Sequence, residues 1–128
     1  MPAETLNHYT IRPKDLEATK NFYCEVVGLT VGDRPPLGFP GYWLYCGGIP
    51  TVHLLGERAG DQPIKSDATG HLDHIAFTAS GLNDMRERLR SRKLAFRENL
   101  LPRINAMQLF FLDPDGVAVE LNFPPGEK

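Results

Sequence analysis

The stretch TVHLLG, residues 51 to 56, sets His53 in the middle of an apolar run with the length and composition of a strand. An imidazole in such a place is a core side chain satisfied by one hydrogen bond, a metal ligand, or a proton carrier beside a metal. Which of these applies depends on what else the chain gathers around it. His8 and His74 each close a Leu-x-His triplet and stand 66 residues apart, as do Leu6 and Leu72. Near the other end, Glu120 follows His53 by 67 residues, in the segment DGVAVELN, which lies against GIPTVHLL when the two halves are aligned. The fourth histidine, His71, falls in the approach to the strand of His74 and is expected to be exposed.

These residues need elements to position them. LNHYTIRP alternates like a short strand closed by Pro13. In PKDLEATKNFYCEVVGL, residues Leu16, Thr19, Phe22, Tyr23, Val26 and Val27 share one helical face, and Gly28 stands where a helix end favours a left-handed residue. Short β-prone pieces follow, LTVGD, YWLYCG and TVHLLG, separated by RPPLGFPG and GGIP. The polar stretch GERAGDQPIKSDATG reads as an exposed connection. After it LDHIAFTASGLNDMRERLRSRKLAF repeats the opening plan, with Leu82, Met85 and Leu89 on the apolar face of a second helix. An internal repeat of half the chain predicts two βαβββ copies, each with too little core to stand alone. Two curved four-stranded sheets facing each other would leave a concave space lined by the inward positions of the matched strands.

At 128 residues with 41% hydrophobic residues, the chain has material for one compact unit. A net charge of -2 provides no basic field for nucleic acid or an acidic membrane surface. No apolar run approaches the ~18 residues that span a bilayer, and the first residues lack the pattern of a signal peptide. Cys24 and Cys46 show no CxxC spacing, so both thiols are expected free in a reducing, cytoplasmic setting.

From Leu6 to Phe123 the sequence resembles the vicinal oxygen chelate superfamily, which includes glyoxalase I, extradiol dioxygenases, methylmalonyl-CoA epimerase, fosfomycin-resistance proteins and bleomycin-binding proteins. The resemblance rests on LNHYTIRPKDLEATKNFYCEVVGL, GHLDHIAFTA and FFLDPDGVAVEL, the last with an Asp-Pro-Asp-Gly turn four residues before Glu120. It implies an α+β fold of two paired βαβββ modules, about residues 5–57 and 70–124 of a single domain, forming a curved mixed sheet around a metal cavity. It also implies His8, His74 and Glu120 as ligands of a divalent metal, with Fe(II) favoured and Mn, Ni, Co or Zn compatible. Two imidazoles and a carboxylate leave adjacent positions open for a bidentate small-molecule substrate. A homodimer is expected on the same ground.

His53 then has two family precedents. Glyoxalase-like members place a fourth ligand there, usually glutamate, whereas catechol-cleaving members carry a histidine that moves protons; the second role is favoured, alongside the plainer reading of a hydrogen-bonded buried residue. Three functions follow: an extradiol-type dioxygenase, which is preferred; a glyoxalase-like lyase or isomerase without redox change; and a non-catalytic antibiotic-binding protein. One departure weakens the first, because Phe110 stands where ring-cleaving enzymes usually carry a tyrosine. The cluster of Phe39, Tyr42, Trp43 and Tyr45 is read as packing before pocket wall, and Arg97 and Arg103 as solvated residues outside the site.

Overall fold

The computed structural model describes residues 6–60 and 74–127; His71 and most of the connection over residues 56–70 lie outside them. The chain divides into two compact units, residues 1–66 and 67–128. In the first, β1 (Tyr9–Ile11) is followed by α1 (Leu16–Phe22), β2 (Thr30–Gly32), β3 (Gly41–Cys46) and β4 (Ile49–Leu55). In the second, β5 (His74–Thr78) is followed by α2 (Leu82–Ser91), β6 (Arg97–Leu101), β7 (Ala106–Leu112) and β8 (Ala118–Asn122). The sheets have the orders β1-β4-β3-β2 and β5-β8-β7-β6, each with one parallel pair and two antiparallel pairs. This is the α+β arrangement of two βαβββ copies that the sequence repeat predicts.

The repeat holds at the level of single residues. Tyr9 pairs with Val52 and Thr10 with His53 in the first sheet; Ile75 pairs with Val119 and Ala76 with Glu120 in the second. His53 and Glu120 therefore occupy the same place on equivalent strands.

Each sheet keeps an apolar face for its helix. Val52, Leu54 and Leu44 are fully buried in the first unit, with Tyr23 of the helical segment. In the second, Leu109, Val119 and Leu121 are buried together with Leu82, Met85 and Leu89 of α2. Arg86 of α2 grips Glu98 of β6 at 2.6 Å, and the guanidinium holds that carboxyl below its usual range. Alternation along the strands then turns His53, Glu120 and their neighbours to the opposite faces.

The first helix differs from the single α-helix expected. Asp15 caps it by accepting from the Ala18 N–H at 3.0 Å, and after Phe22 the chain widens into a π-type turn over Tyr23–Val27. Gly28 ends it at φ 96°, where its N–H and that of Leu29 both donate to the Tyr23 carbonyl. The wider turn brings fully buried Tyr23 and buried Leu29 together at the helix end.

The Asp-Pro-Asp-Gly turn sets the entry of β8. Asp113 is buried, and its Oδ1 accepts from the backbone N–H groups of Asp115 and Val117, both at 2.8 Å, while Gly116 takes φ 86°. Removing that oxygen strands two backbone donors next to the core. Asp113→Ala is expected to cost about 2 to 3 kcal/mol, and Asp113→Asn, which retains an acceptor, less than half as much. Urea unfolding of the two variants checks the order.

Candidate metal centre

In the second unit the site begins with two side chains on adjacent parallel strands. His74 opens β5 and Glu120 lies in β8, one residue past the position paired with Ile75, so both project from the same face. The Nε2 of His74 lies 3.3 Å from Oε1 of Glu120. The other carboxylate oxygen is tied down: Oε2 accepts from Asn122 Nδ2 at 2.7 Å and from Gln108 Nε2 at 3.3 Å. Gln108 also donates to Asn122 Oδ1 at 2.8 Å and accepts from Asn99 Nδ2 at 2.9 Å. A row of three amides thus fixes the carboxylate and leaves Oε1 directed at the imidazole. The Glu120 side chain is only 13% exposed, against 41% for His74.

The first unit builds the equivalent place from aromatic rings. His53 lies between His8, with ring centroids 3.8 Å apart and planes at 13°, and Trp43, at 4.2 Å and 10°. Trp43 is the register partner of His53 across β3 and β4, and the ladder slips between Leu44 and Tyr45 so that Tyr45 pairs with Pro50. His53 Nε2 is 3.1 Å from the Pro50 carbonyl oxygen. A carbonyl only accepts, so Nε2 carries the proton and the neutral ring presents Nδ1 as its lone pair. Burial pushes the His53 pKa down from its ordinary value, and the neighbouring His8 imidazole adds to the effect. His8 itself is exposed, with Nδ1 2.6 Å from Asn7 Oδ1, which assigns its proton to Nδ1 and leaves Nε2 as the donor atom.

The donor chemistry fits a divalent ion. Two donors on one ion at about 2.1 Å lie about 3.0 Å apart at a right angle and about 3.4 Å apart at a tetrahedral angle; the separation of His74 and Glu120 falls between these values. An imidazole oriented by a side-chain amide and a carboxylate oriented by two more are the usual surroundings of ligands. Within each unit, the structure thus joins His74 to Glu120 and His8 to His53. No group of three His, Cys, Asp or Glu side chains occurs together among the described residues.

The other sequence expectations divide. Of the aromatic cluster, Tyr42 turns to the helix and donates to Glu17 Oε2 at 2.5 Å, Tyr45 donates to the Asp33 carbonyl at 2.7 Å, and Trp43 alone of the three reaches the histidines. Arg103 is exposed in the turn after β6. Arg97 is exposed too, and its guanidinium lies over the Phe110 ring at 4.2 Å on the wall of a cleft that includes His74. The amides of Asn99, Gln108 and Asn122 were not foreseen. Their signal is the period-two spacing of Gln108 with Phe110, and of Glu120 with Asn122, on one sheet face.

The family model described as the Glyoxalase/Bleomycin resistance protein/Dioxygenase superfamily matches residues 5–121. The chain is 31% identical to Glyoxylase I 4 of Arabidopsis thaliana, over 91% of this chain and 69% of that protein. It is 30% identical to Glutathione transferase FosA of Serratia marcescens, over 93% of this chain and 80% of that one. Among solved structures, a glyoxylase/bleomycin resistance protein/dioxygenase domain from Frankia sp. EAN1pec shares the fold with a TM-score of 0.72 at 21% identity, covering 95% of this chain and 98% of that one. With the doubled βαβββ unit and matched strand register, these likenesses make the chain a member of the Glyoxalase/Bleomycin resistance protein/Dioxygenase superfamily.

Proposed function

We propose that the protein is a divalent-metal-dependent enzyme that transforms a small substrate bearing adjacent oxygens without net redox change, in the manner of a lyase or isomerase. In this reading His8, His74 and Glu120 hold the ion and His53 moves a proton. The observation that carries it is the approach of His74 to Glu120 at 3.3 Å, with the carboxylate pinned from behind by Asn122 and Gln108. An ion so held supplies Lewis-acid polarisation of the substrate oxygens. The chain's own part is proton traffic and orientation. His53, neutral and with Nδ1 carrying the lone pair, suits removal of a proton beside a polarised carbonyl, and Trp43 fixes the plane of its ring.

The extradiol dioxygenase reading, with Fe(II), keeps one observation in its favour: a histidine in the TVHLL strand whose Nδ1 has no bond assigned to it by the Pro50 contact. Against it, Phe110 offers no hydroxyl, so a substrate-positioning donor of that chemistry is missing. The names of the Arabidopsis and Serratia relatives, a glyoxylase and a glutathione transferase, also favour the non-redox reading.

Protein purified without chelator should carry close to one divalent ion per chain, and His74→Ala or Glu120→Ala should remove most of it by elemental analysis. Full occupancy in both variants sinks the site. Loaded with Ni(II), Zn(II) or Mn(II), the protein should turn over a hemithioacetal without consuming oxygen. Oxygen uptake with a catechol by the Fe(II)-loaded protein would replace this reading by the dioxygenase one, and ligand binding without any turnover by the sequestering one.

His53→Gln separates proton carrier from ligand. Turnover should fall by ~10²-fold or more while metal affinity stays within a few-fold of the parent. A large loss of metal affinity in that variant would make His53 a fourth ligand instead.

A further inference from the structure

The second unit contains an open cleft of about 540 Å³ whose wall includes His74, Phe96, Arg97, Phe110, Phe111 and Leu112. Strand register explains how these meet. Arg97 pairs with Phe110 across β6 and β7, Phe110 pairs with Glu120 across β7 and β8, and Glu120 pairs with Ala76 on β5. One row of side chains therefore crosses the sheet, with a cation at one end, an aromatic ring next to it, and the His74–Glu120 pair beyond. Neighbouring strands lie about 4.8 Å apart, so Arg97 and Glu120, two strands apart, are separated at the backbone by about 10 Å.

Arg97 and Glu98 show how alternation divides two adjacent charges. Glu98 faces α2 and is paired with Arg86 by a fork of two hydrogen bonds at 2.6 and 3.1 Å. Arg97 faces the cleft, and among the described residues no carboxylate or carbonyl accepts from it. Its contact is the face of Phe110, 4.2 Å from the guanidinium carbon. An aromatic ring beneath a guanidinium attracts the cation without taking up its N–H donors, which are left for a ligand. Those donors match a carboxylate, which takes two parallel hydrogen bonds.

We infer that Arg97 selects the substrate: a small molecule with a carboxylate that pairs with the guanidinium, and an apolar spacer about one ring wide that lies on Phe110 and beside Phe96. Its reacting oxygens then fall at His74 and Glu120. The inference rests on the reading of that pair as the reacting end, and adds the chemical class of what binds there. It also gives Phe110 a purpose that a tyrosine hydroxyl would not serve, since an apolar ring accommodates both the guanidinium and the spacer.

The test compares 3-phenylpropanoate with its neutral isostere 3-phenylpropanamide by calorimetry or ligand-observed NMR. Both the protein as purified and the same protein stripped of metal and dialysed are used, so that coordination of the carboxylate by an ion is told apart. The carboxylate should bind at least tenfold more tightly than the amide in both forms. Arg97→Gln should weaken the carboxylate tenfold or more while leaving the amide within about twofold, and Arg97→Lys should restore part of the loss, because an ammonium keeps the charge and loses the fork. Equal binding of the two probes, carboxylate binding untouched by Arg97→Gln, or carboxylate binding that vanishes with the metal would each overturn the assignment. Metal analysis of His74→Ala and Glu120→Ala keeps the two readings distinct. If those variants hold metal like the parent while Arg97-dependent binding persists, the proposed function fails and the carboxylate site stands; metal-dependent His74 and Glu120 with indifferent probes gives the reverse.

Discussion

Two parallel strands cannot be joined by a tight turn, so the chain must leave the sheet and return before the second can pair with the first. In each unit that detour contains the helix and the two antiparallel strands, and the last strand returns beside the first: β4 against β1 and β8 against β5. The site depends on this closure. It brings His8, just ahead of β1, against His53 in β4, and His74 at the head of β5 against Glu120 in β8, over sequence separations of 45 and 46 residues. A slip of one residue in either parallel pairing would turn the later partner to the helix side and place a carboxylate or imidazole in the apolar core.

The two closures manage buried polarity in different ways. Glu120 carries an acceptor-only group at 13% exposure and is answered by donors from Asn122 and Gln108, with Asn99 completing the row. His53 has one hydrogen bond to a carbonyl and is otherwise covered by rings, an arrangement that disfavours its charged form. Equivalent positions in a doubled fold thus hold a carboxyl group bonded by amides and an imidazole enclosed by aromatics. The same backbone register carries two different polar groups because the neighbours on the adjoining strands differ.

Much of this was legible in the sequence because repetition is visible without knowing any contact. The Leu-x-His triplets and the offset of His53 to Glu120 predicted the matched βαβββ copies, and the spacing of Leu82, Met85 and Leu89 predicted the buried face of α2. The π-type turn before Gly28 was hidden, since the residues that form it keep helical spacing. The amide row around Glu120 was hidden for another reason: its members come from β6, β7 and β8, and single-strand alternation does not say which residues of different strands become neighbours. The cation–aromatic contact of Arg97 was hidden on the same account, because Phe110 belongs to the neighbouring strand. Its sequence neighbour Glu98 projects from the opposite face, where its carboxylate pairs with Arg86.

Trp43 is the single tryptophan of the chain, and one face of its indole lies flat on His53, which in turn lies flat on His8. Its excited state is therefore coupled to the stacked imidazoles. Indole emission is sensitive to the charge and mobility of what touches it, so the first unit contains an optical reporter beside His53, and any change in those stacked rings can be followed in unlabelled protein without knowing its cause in advance.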